Sequence, residues 1–273
     1  MQYRTRRIFP NNEANISIST TNVSSSSFSV LAISGLLDAA FLSGDTYPLY
    51  VYKDPEENSD TLFSSNDESS RKDAITDWSL KLFRTRYKDE NINKQDIFNY
   101  VYCVLASTEF LEQFEQDARK SGPKVPLLKD FRTYSSIGES LVQLHTNFAS
   151  CADFESLKVE IKDVNLPESE LYRVEKMSLI KGEDEISLVF NQNIKISGIP
   201  VAIDDFQVNG RSTLDWLVNQ YQINKDKDTL LISDPNAYSN QDKYVFNLVP
   251  KLVNLSMKTI KILESVPKFQ YLS

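Results

Sequence analysis

Residues 157–162 read LKVEIK, and at this stretch the hydrophobic period of the chain changes. Apolar and charged residues alternate here, a period of two that is typical of half-buried antiparallel strands. The alternation returns at 186–190 and again at 194–196. The region that begins near residue 156 is therefore predicted to form an antiparallel sheet.

On either side of this region the apolar residues recur at helical spacing instead. Six helices are predicted from that spacing, at 75–87, 94–105, 107–120, 137–148, 212–221 and 244–265. Near the amino terminus, two runs rich in β-branched and aromatic residues predict strands at 28–33 and 47–52. Strands, then helices, then a sheet and a long C-terminal helix make an α+β arrangement.

The chain of 273 residues is long enough for one large domain or two ordinary ones, and we predict a single domain over 1–273. Four parts are predicted within it: a β segment at 1–52, a flexible acidic loop at 53–73, a helical subdomain at 74–150, and a β-rich part at 151–273 closed by the C-terminal helix. The loop prediction rests on composition, because seven acidic and three basic residues with few apolar ones cannot offset the entropy of ordering. A phosphorylation switch or a partner site is the alternative interpretation of this loop.

The composition is that of an average globular protein, with 41% hydrophobic and 25% charged residues. Two cysteines give no disulfide framework, residues 1–10 lack the apolar core of a signal peptide, and no run reaches the about 18 apolar residues of a membrane helix. A cytoplasmic protein without membrane contact is expected. The net charge of −8 disfavours a general nucleic-acid binder, but the 53–73 loop carries half of it, so a local basic face is compatible with the rest.

The sequence contains no motif that would carry out catalysis or bind a cofactor. Phosphate-binding and dinucleotide-binding loops, the nucleophile elbow and the zinc-protease motif are all missing. His145 is the single histidine, and with two distant cysteines it cannot assemble a zinc site of the usual kind, so we interpret it as a structural residue. The run DPNAY at 234–238 is similar to the Asn-Pro-Pro-Tyr loop of amino-methyltransferases but lacks its first asparagine and second proline, and we interpret it as a turn.

Three long stretches are more specific than these patterns. They are FSVLAISGLLDAAFLSGDTYPLYVY at 28–52, IFNYVYCVLASTEFLEQFEQDARKSGPKVPLL at 97–128 and NGRSTLDWLVNQYQINKDKDTLLISDPNAY at 209–238. In this order they resemble the C-terminal specificity region of type ISP restriction-modification enzymes, from about residue 15 to about residue 267. Enzymes of that type join a nuclease, a translocase, an adenine methyltransferase and a target-recognition domain in one chain.

The resemblance implies a target-recognition domain that binds duplex DNA, in a system that also contains methyltransferase, helicase and nuclease modules. Basic and amide residues on turns and helix starts would contact phosphates and base edges. The candidates for DNA binding are Arg119, Lys120, Lys124, Asn209, Arg211, Ser212, Lys225, Lys227 and Asn236. No catalytic residue, cofactor or metal is implied for this chain, which would not be an enzyme on its own.

Each candidate also has a structural interpretation, since Asn209-Gly210 is a turn signal, Ser212 can cap a helix, and Arg119-Lys120 complement the negative end of one. Two other functions stay open: a protein-interaction domain that docks on methyltransferase and helicase modules without reading DNA, and an enzyme with an unrecognised site. Sequence-selective binding that weakens with salt would favour DNA recognition. Tight association with those modules without DNA affinity would favour docking, and a polar pocket would favour an enzyme.

Overall fold

The computed structural model describes residues 7–9, 14–21, 25, 27–35, 42, 44–52 and 71–272. It confirms the predicted α+β class, with helices, several antiparallel sheets and a long C-terminal helix. The chain divides into two compact units: unit 1 is Met1–Thr146 with Ile262–Ser273, and unit 2 is Asn147–Lys261. The single domain over 1–273 stays a prediction.

In the described part of unit 1, helices supply most of the structure. They are α1 (Asp77–Tyr87), α2 (Lys94–Ala106), α3 (Thr108–Ser121) and α4 (Phe131–Thr146). The Thr76 side chain caps α1, and Asn93 and Asp96 form a reciprocal capping box at the start of α2. Helices α2 and α4 meet at Gly138, where an added Cβ would lie 1.9 Å from the Asn99 carbonyl oxygen. Glycine is therefore the residue that lets these two backbones approach.

Helix α4 differs from its predicted range of 137–148. It begins at Phe131 because Phe131 and Tyr134 both pack on Tyr100, with ring centroids 5.1 and 5.9 Å apart. Aromatic residues fit helix and strand patterns alike, so tertiary packing decides where such a helix starts. At the other end, Phe148–Ser150 form a 3-10 turn in place of the last predicted helical residues.

The described part of unit 1 also contains short strands. They are β1 (Ser17–Thr20), β2 (Val30–Ile33), β3 (Thr46–Pro48), β4 (Tyr50–Tyr52) and β5 (Arg71–Asp73). Strand β1 lies between β2 and β3 in an antiparallel sheet, and the predicted strand at 47–52 is broken at the buried Leu49 into β3 and β4.

The predicted carboxyl-terminal end of the acidic loop at 53–73 has to be corrected. Residues 53–70 of that loop lie outside the described residues, but Arg71–Asp73 form β5, which pairs with β4. The Arg71 guanidinium lies 4.0 Å from the centre of the Tyr50 ring. This cation–π contact and the ladder hydrogen bonds hold a segment that composition alone assigns to the loop.

The predicted antiparallel sheet forms in unit 2 with the strand order β6-β9-β8-β7. Its strands are β6 (Lys158–Ile161), β7 (Ser178–Lys181), β8 (Glu185–Val189) and β9 (Ile194–Pro200). Ile186, Leu188 and Ile196 from this sheet share a core with Val249 and Val253 of the long helix α7 (Tyr244–Glu264).

Shorter elements complete the described part of unit 2. The helices are α5 (Glu168–Leu171) and α6 (Thr213–Gln220). Two hairpins consist of β10 (Gln207–Val208) with β11 (Arg211–Ser212), and of β12 (Asn224–Lys225) with β13 (Ile232–Ser233). Helices α6 and α7 start and end within one residue of their predicted ranges, and the two hairpins carry most of the DNA-binding candidates.

Candidate nucleic-acid interface

The histidine of unit 1 has the geometry of a structural residue. His145 is 8% exposed, and its Nδ1 lies 2.5 Å from the Tyr102 hydroxyl oxygen. Burial lowers the pKa of His145 to about 4 and raises the pKa of the Cys103 thiol to about 12. A buried neutral imidazole and a buried protonated thiol are poorly suited to acid–base or nucleophilic chemistry. Among the described residues, no three histidine, cysteine or carboxylate side chains converge on a point where they could hold a metal ion.

The turn between β10 and β11 positions two of the candidates. Asn209 and Gly210 have φ angles of 53° and 71°, and a two-residue turn of type I′ requires positive values at both positions. Across this turn Val208 pairs with Arg211, whose guanidinium lies 5.0 Å from the centre of the Trp216 ring. The Trp216 indole N–H donates to the Val208 carbonyl at 2.8 Å. Arg211 is exposed, and the turn together with the Trp216 ring orients its guanidinium.

Ser212 serves the fold rather than the surface. It is 1% exposed, and its hydroxyl accepts from the Asp215 N–H at 3.3 Å and donates to the Asp215 carboxylate at 2.7 Å. This capping box places a carboxylate at the positive end of α6, where a phosphate would otherwise be favoured. Ser212 therefore has the capping role that the sequence offers as its structural interpretation.

Two lysines occupy the second hairpin, β12–β13. Lys225 lies opposite Ile232 in the ribbon, and Lys227 lies in the turn that joins the two strands. Both are exposed, and none of the ion pairs formed among the described residues includes either one. Lys181, by contrast, pairs with Asp204 at 2.7 Å. Exposed cations on a narrow ribbon are well placed to contact phosphates.

Asn236 is engaged in its own loop. Its Oδ1 accepts from the Val174 N–H at 2.9 Å, and its Nδ2 donates to the Val174 carbonyl at 2.8 Å. Hydrogen bonds from Asn236, with a smaller contribution from Arg173, lower the pKa of the Asp234 carboxyl. Residues Pro235–Ala237 form one 3-10 turn, so the DPNAY run is a turn as the sequence predicts. Within unit 2, the hydrogen bonds of Asn236 therefore hold this turn against the segment that contains the fully buried Val174.

The basic cluster of unit 1 divides in a similar way. The Arg119 guanidinium donates to the Ser25 carbonyl oxygen and is half-buried, so it ties α3 to the amino-terminal segment. Lys120 is exposed in the last turn of α3, and Lys124 is exposed on the extended segment that follows Gly122. Two of the three cations are thus available at the surface.

Sequence reasoning missed an exposed apolar run in unit 2. Leu230, Leu231 and Ile232 follow the turn of the β12–β13 hairpin and are 63%, 71% and 65% exposed. On one side of the hairpin, Leu231 and Tyr238 help to line an open depression of about 620 Å³. The available signal was an apolar triplet one residue after the charged run NKDKD at 224–228, with neither helical nor alternating periodicity.

The chain is similar in sequence and fold to known enzymes. The profile of the Type ISP C-terminal specificity domain matches residues 1–248. The chain belongs to this family. The specificity domain is similar to the ATP-dependent Type ISP restriction-modification enzyme LlaBIII bound to DNA, with a TM-score of 0.83 and 30% identity over 99% of this chain and 17% of that one.

Two further solved structures are similar to the specificity domain. One is a nuclease-deletion mutant of the Type ISP enzyme LlaGI in complex with a DNA substrate mimic, with a TM-score of 0.77, 28% identity and coverage of 98% of this chain and 19% of that one. The other is the DrdV–DNA complex, with a TM-score of 0.82, 25% identity and coverage of 99% and 26%. The specificity domain therefore spans about a sixth to a quarter of the length of these relatives. A search of curated proteins gave no match.

A helix that crosses a bilayer needs about 20 predominantly apolar residues. Within the part of the chain that the structure describes, no helix is long and apolar enough to cross a membrane.

Proposed function

We propose that the specificity domain recognises a target sequence in duplex DNA for a Type ISP restriction-modification system, and that it catalyses no reaction itself. The observation that carries this proposal is the family match over residues 1–248. The similar structures of LlaBIII, LlaGI and DrdV, which contain DNA or a DNA mimic, support it. Methyltransferase, helicase and nuclease modules would be its partners, in the cytoplasm.

The surface of unit 2 is compatible with this function. Two short hairpins expose Arg211, Lys225 and Lys227, and a two-stranded ribbon is narrow enough to enter the major groove. Cations of this kind position a protein on the phosphates, whereas the amide of Asn209 can exchange hydrogen bonds with base edges. The net charge of −8 does not oppose local contacts of this kind, because charges beyond about 8 Å are largely screened at physiological salt.

The test is selection from a random duplex library, followed by affinity measurements between about 50 and 200 mM salt. A preferred sequence and a steep salt dependence are expected. The double variant Lys225→Gln/Lys227→Gln should reduce the slope of log K against log salt by about 2, since each phosphate contact contributes about 0.9. The matched control Lys258→Gln/Lys261→Gln changes the same charge on α7 and should leave the slope unchanged.

Equal affinity for every duplex, or no binding at low salt, would contradict the proposal. Tight association with the methyltransferase and helicase modules in the absence of DNA affinity would instead support a docking domain.

A further inference from the structure

Leu230 and Leu231 end the loop of the β12–β13 hairpin and Ile232 begins β13, and we call these three consecutive aliphatic residues the hairpin tip. All three are more than 60% exposed, and in the part of the chain that the structure describes no other three consecutive aliphatic residues are exposed to this extent. Tyr238 lines the same depression as Leu231, whereas other large exposed apolar side chains of unit 2, such as Val164 and Ile180, are far apart in the sequence. A contiguous apolar group in water marks a contact surface more often than a single exposed side chain does.

The backbone holds the hairpin tip in one conformation. The Asp226 N–H donates to the Leu231 carbonyl at 2.9 Å, and the Leu230 N–H donates to the Asp226 carbonyl at 3.1 Å. The Asp226 carboxylate accepts from the Thr229 N–H and hydroxyl, both at 2.7 Å. Leu230 has a φ of 59°, in the left-handed region that is unfavourable for a bulky residue. These hydrogen bonds stabilise the turn that presents the two leucines to solvent, although the conformation of Leu230 is strained.

Two exposed lysines lie near the hairpin tip in the same hairpin. Lys225 lies directly opposite Ile232 in the ribbon, and Lys227 lies in the turn before the tip. The Asp226 carboxylate is bonded within its own turn, and Asp234 is paired with Arg173 at 3.1 Å. Both lysines precede the hairpin tip in the chain, and the exposed Asp228 follows Lys227 in the same turn. An apolar tip with lysines beside it complements a base step of a duplex, in which stacked bases lie between two phosphate backbones.

We infer that the hairpin tip is an apolar wedge that inserts at a base step of duplex DNA, with Lys225 and Lys227 on the flanking phosphates. The inference rests on the proposed function and deepens it by naming how part of the target is read. Leucine and isoleucine are among the residues that DNA-bending proteins insert between base pairs. Because pyrimidine–purine steps unstack most readily, such a step is expected at the contact.

The test uses the purified chain and the duplex obtained by selection. 2-Aminopurine is placed at successive positions, and its fluorescence, which rises when a base unstacks, is compared with and without protein. Dyes at the two ends of the duplex report bending by energy transfer. The wild-type chain is expected to raise the fluorescence at one step and to kink the duplex by roughly 20–90°.

The variant that removes the wedge is Leu230→Ala/Leu231→Ala. We expect it to lose the fluorescence rise and to bind roughly tenfold more weakly, because two side chains no longer bury apolar surface against the bases. Both leucines are exposed, so the variant should fold, and circular dichroism checks this. The matched control is Val164→Ala, which truncates an aliphatic side chain of the same unit that is 72% exposed, and it should behave as the wild type.

The outcomes separate the inference from the proposed function. If the double variant keeps the affinity, fluorescence and bending of the wild type, the wedge is refuted while target recognition stands. If the wild-type chain binds no duplex at low salt, the proposed function itself fails. If the double variant keeps its DNA properties but no longer associates with the remaining modules of a Type ISP enzyme, the hairpin tip is a protein contact and the inference is overturned.

Discussion

Replacing Asn236 by alanine distinguishes the structural interpretation of the DPNAY turn from a DNA-contact interpretation. The Asn236 side chain satisfies both backbone groups of Val174, at 2.9 and 2.8 Å, and Val174 is fully buried. Asn236→Ala leaves that N–H and that carbonyl without their partner in the core of unit 2. Since each buried group left unsatisfied costs about 1–3 kcal/mol, the free energy of unfolding should fall by about 2–4 kcal/mol.

The measurement is thermal unfolding by calorimetry, with DNA affinity determined well below the transition. For a unit of this size the loss corresponds to a decrease in Tm of roughly 10 °C. The control is Asn219→Ala, because the Asn219 amide is exposed and donates only to the Asp215 carbonyl of its own helix. That variant should stay within about 0.5 kcal/mol of the wild type.

The reasoning is refuted if Asn236→Ala unfolds at the wild-type temperature but binds the selected duplex much more weakly. Asn236 would then be a DNA contact, and its bonds to Val174 would be dispensable for stability.

Three further predictions concern the scaffold. Gly138→Ala should lower the free energy of unfolding by about 3 kcal/mol, because the added Cβ would overlap the Asn99 carbonyl. This loss exceeds the about 1 kcal/mol by which alanine is favoured over glycine in a helix. Urea unfolding measures the change, and the control is Gly35→Ala, whose added Cβ has no atom within 4 Å. The pKa of His145 is about 4 in the folded chain, below its unfolded value of about 6.5, so stability should fall as pH decreases from about 6.5 to 4, by about 3 kcal/mol. His145→Gln should flatten the stability–pH profile in that window, and an unchanged profile would show that His145 is not the cause. Trp216→Phe removes the indole bond to Val208 and should cost about 1 kcal/mol in calorimetry, with weaker DNA binding only if the orientation of Arg211 matters.

The elements that could be predicted from the sequence are those whose signal is local. Helix α2 matched its predicted range within one residue, since its apolar stripe begins directly after the capping box of Asn93 and Asp96. Strand β1 could not be found in this way, because its sequence SIST is polar and yet wholly buried. Its Ser19 hydroxyl lies 3.0 Å from that of Thr46, a partner 27 residues away. A buried polar strand depends on such distant partners, which no local pattern contains.

The candidate site was harder to predict for the same reason. The sequence identified the basic and amide residues but could not separate those that hold the fold from those that face solvent. Arg119 and Lys120 are neighbours in the chain, yet one donates to the Ser25 carbonyl and the other is exposed. The hairpin tip was missed because exposure of an apolar triplet is a tertiary property, and the hydrophobic pattern alone assigns such a triplet to a core.

The charge distribution also bears on how the specificity domain would reach DNA. Lys94, Arg132, Lys181 and Lys243 all form ion pairs with carboxylates of their own unit, so they add little to an external field. Since the net charge of the chain is −8, it does not attract a duplex at long range. The exposed cations of the hairpins then act only at contact distance. Association of the isolated chain should be slow, about 10⁵–10⁶ M⁻¹s⁻¹ as for unsteered partners, rather than near the diffusion limit. Stopped-flow measurements at low salt test this directly, because a rate near 10⁸ M⁻¹s⁻¹, typical of steered association, would require a basic field that the described residues do not supply.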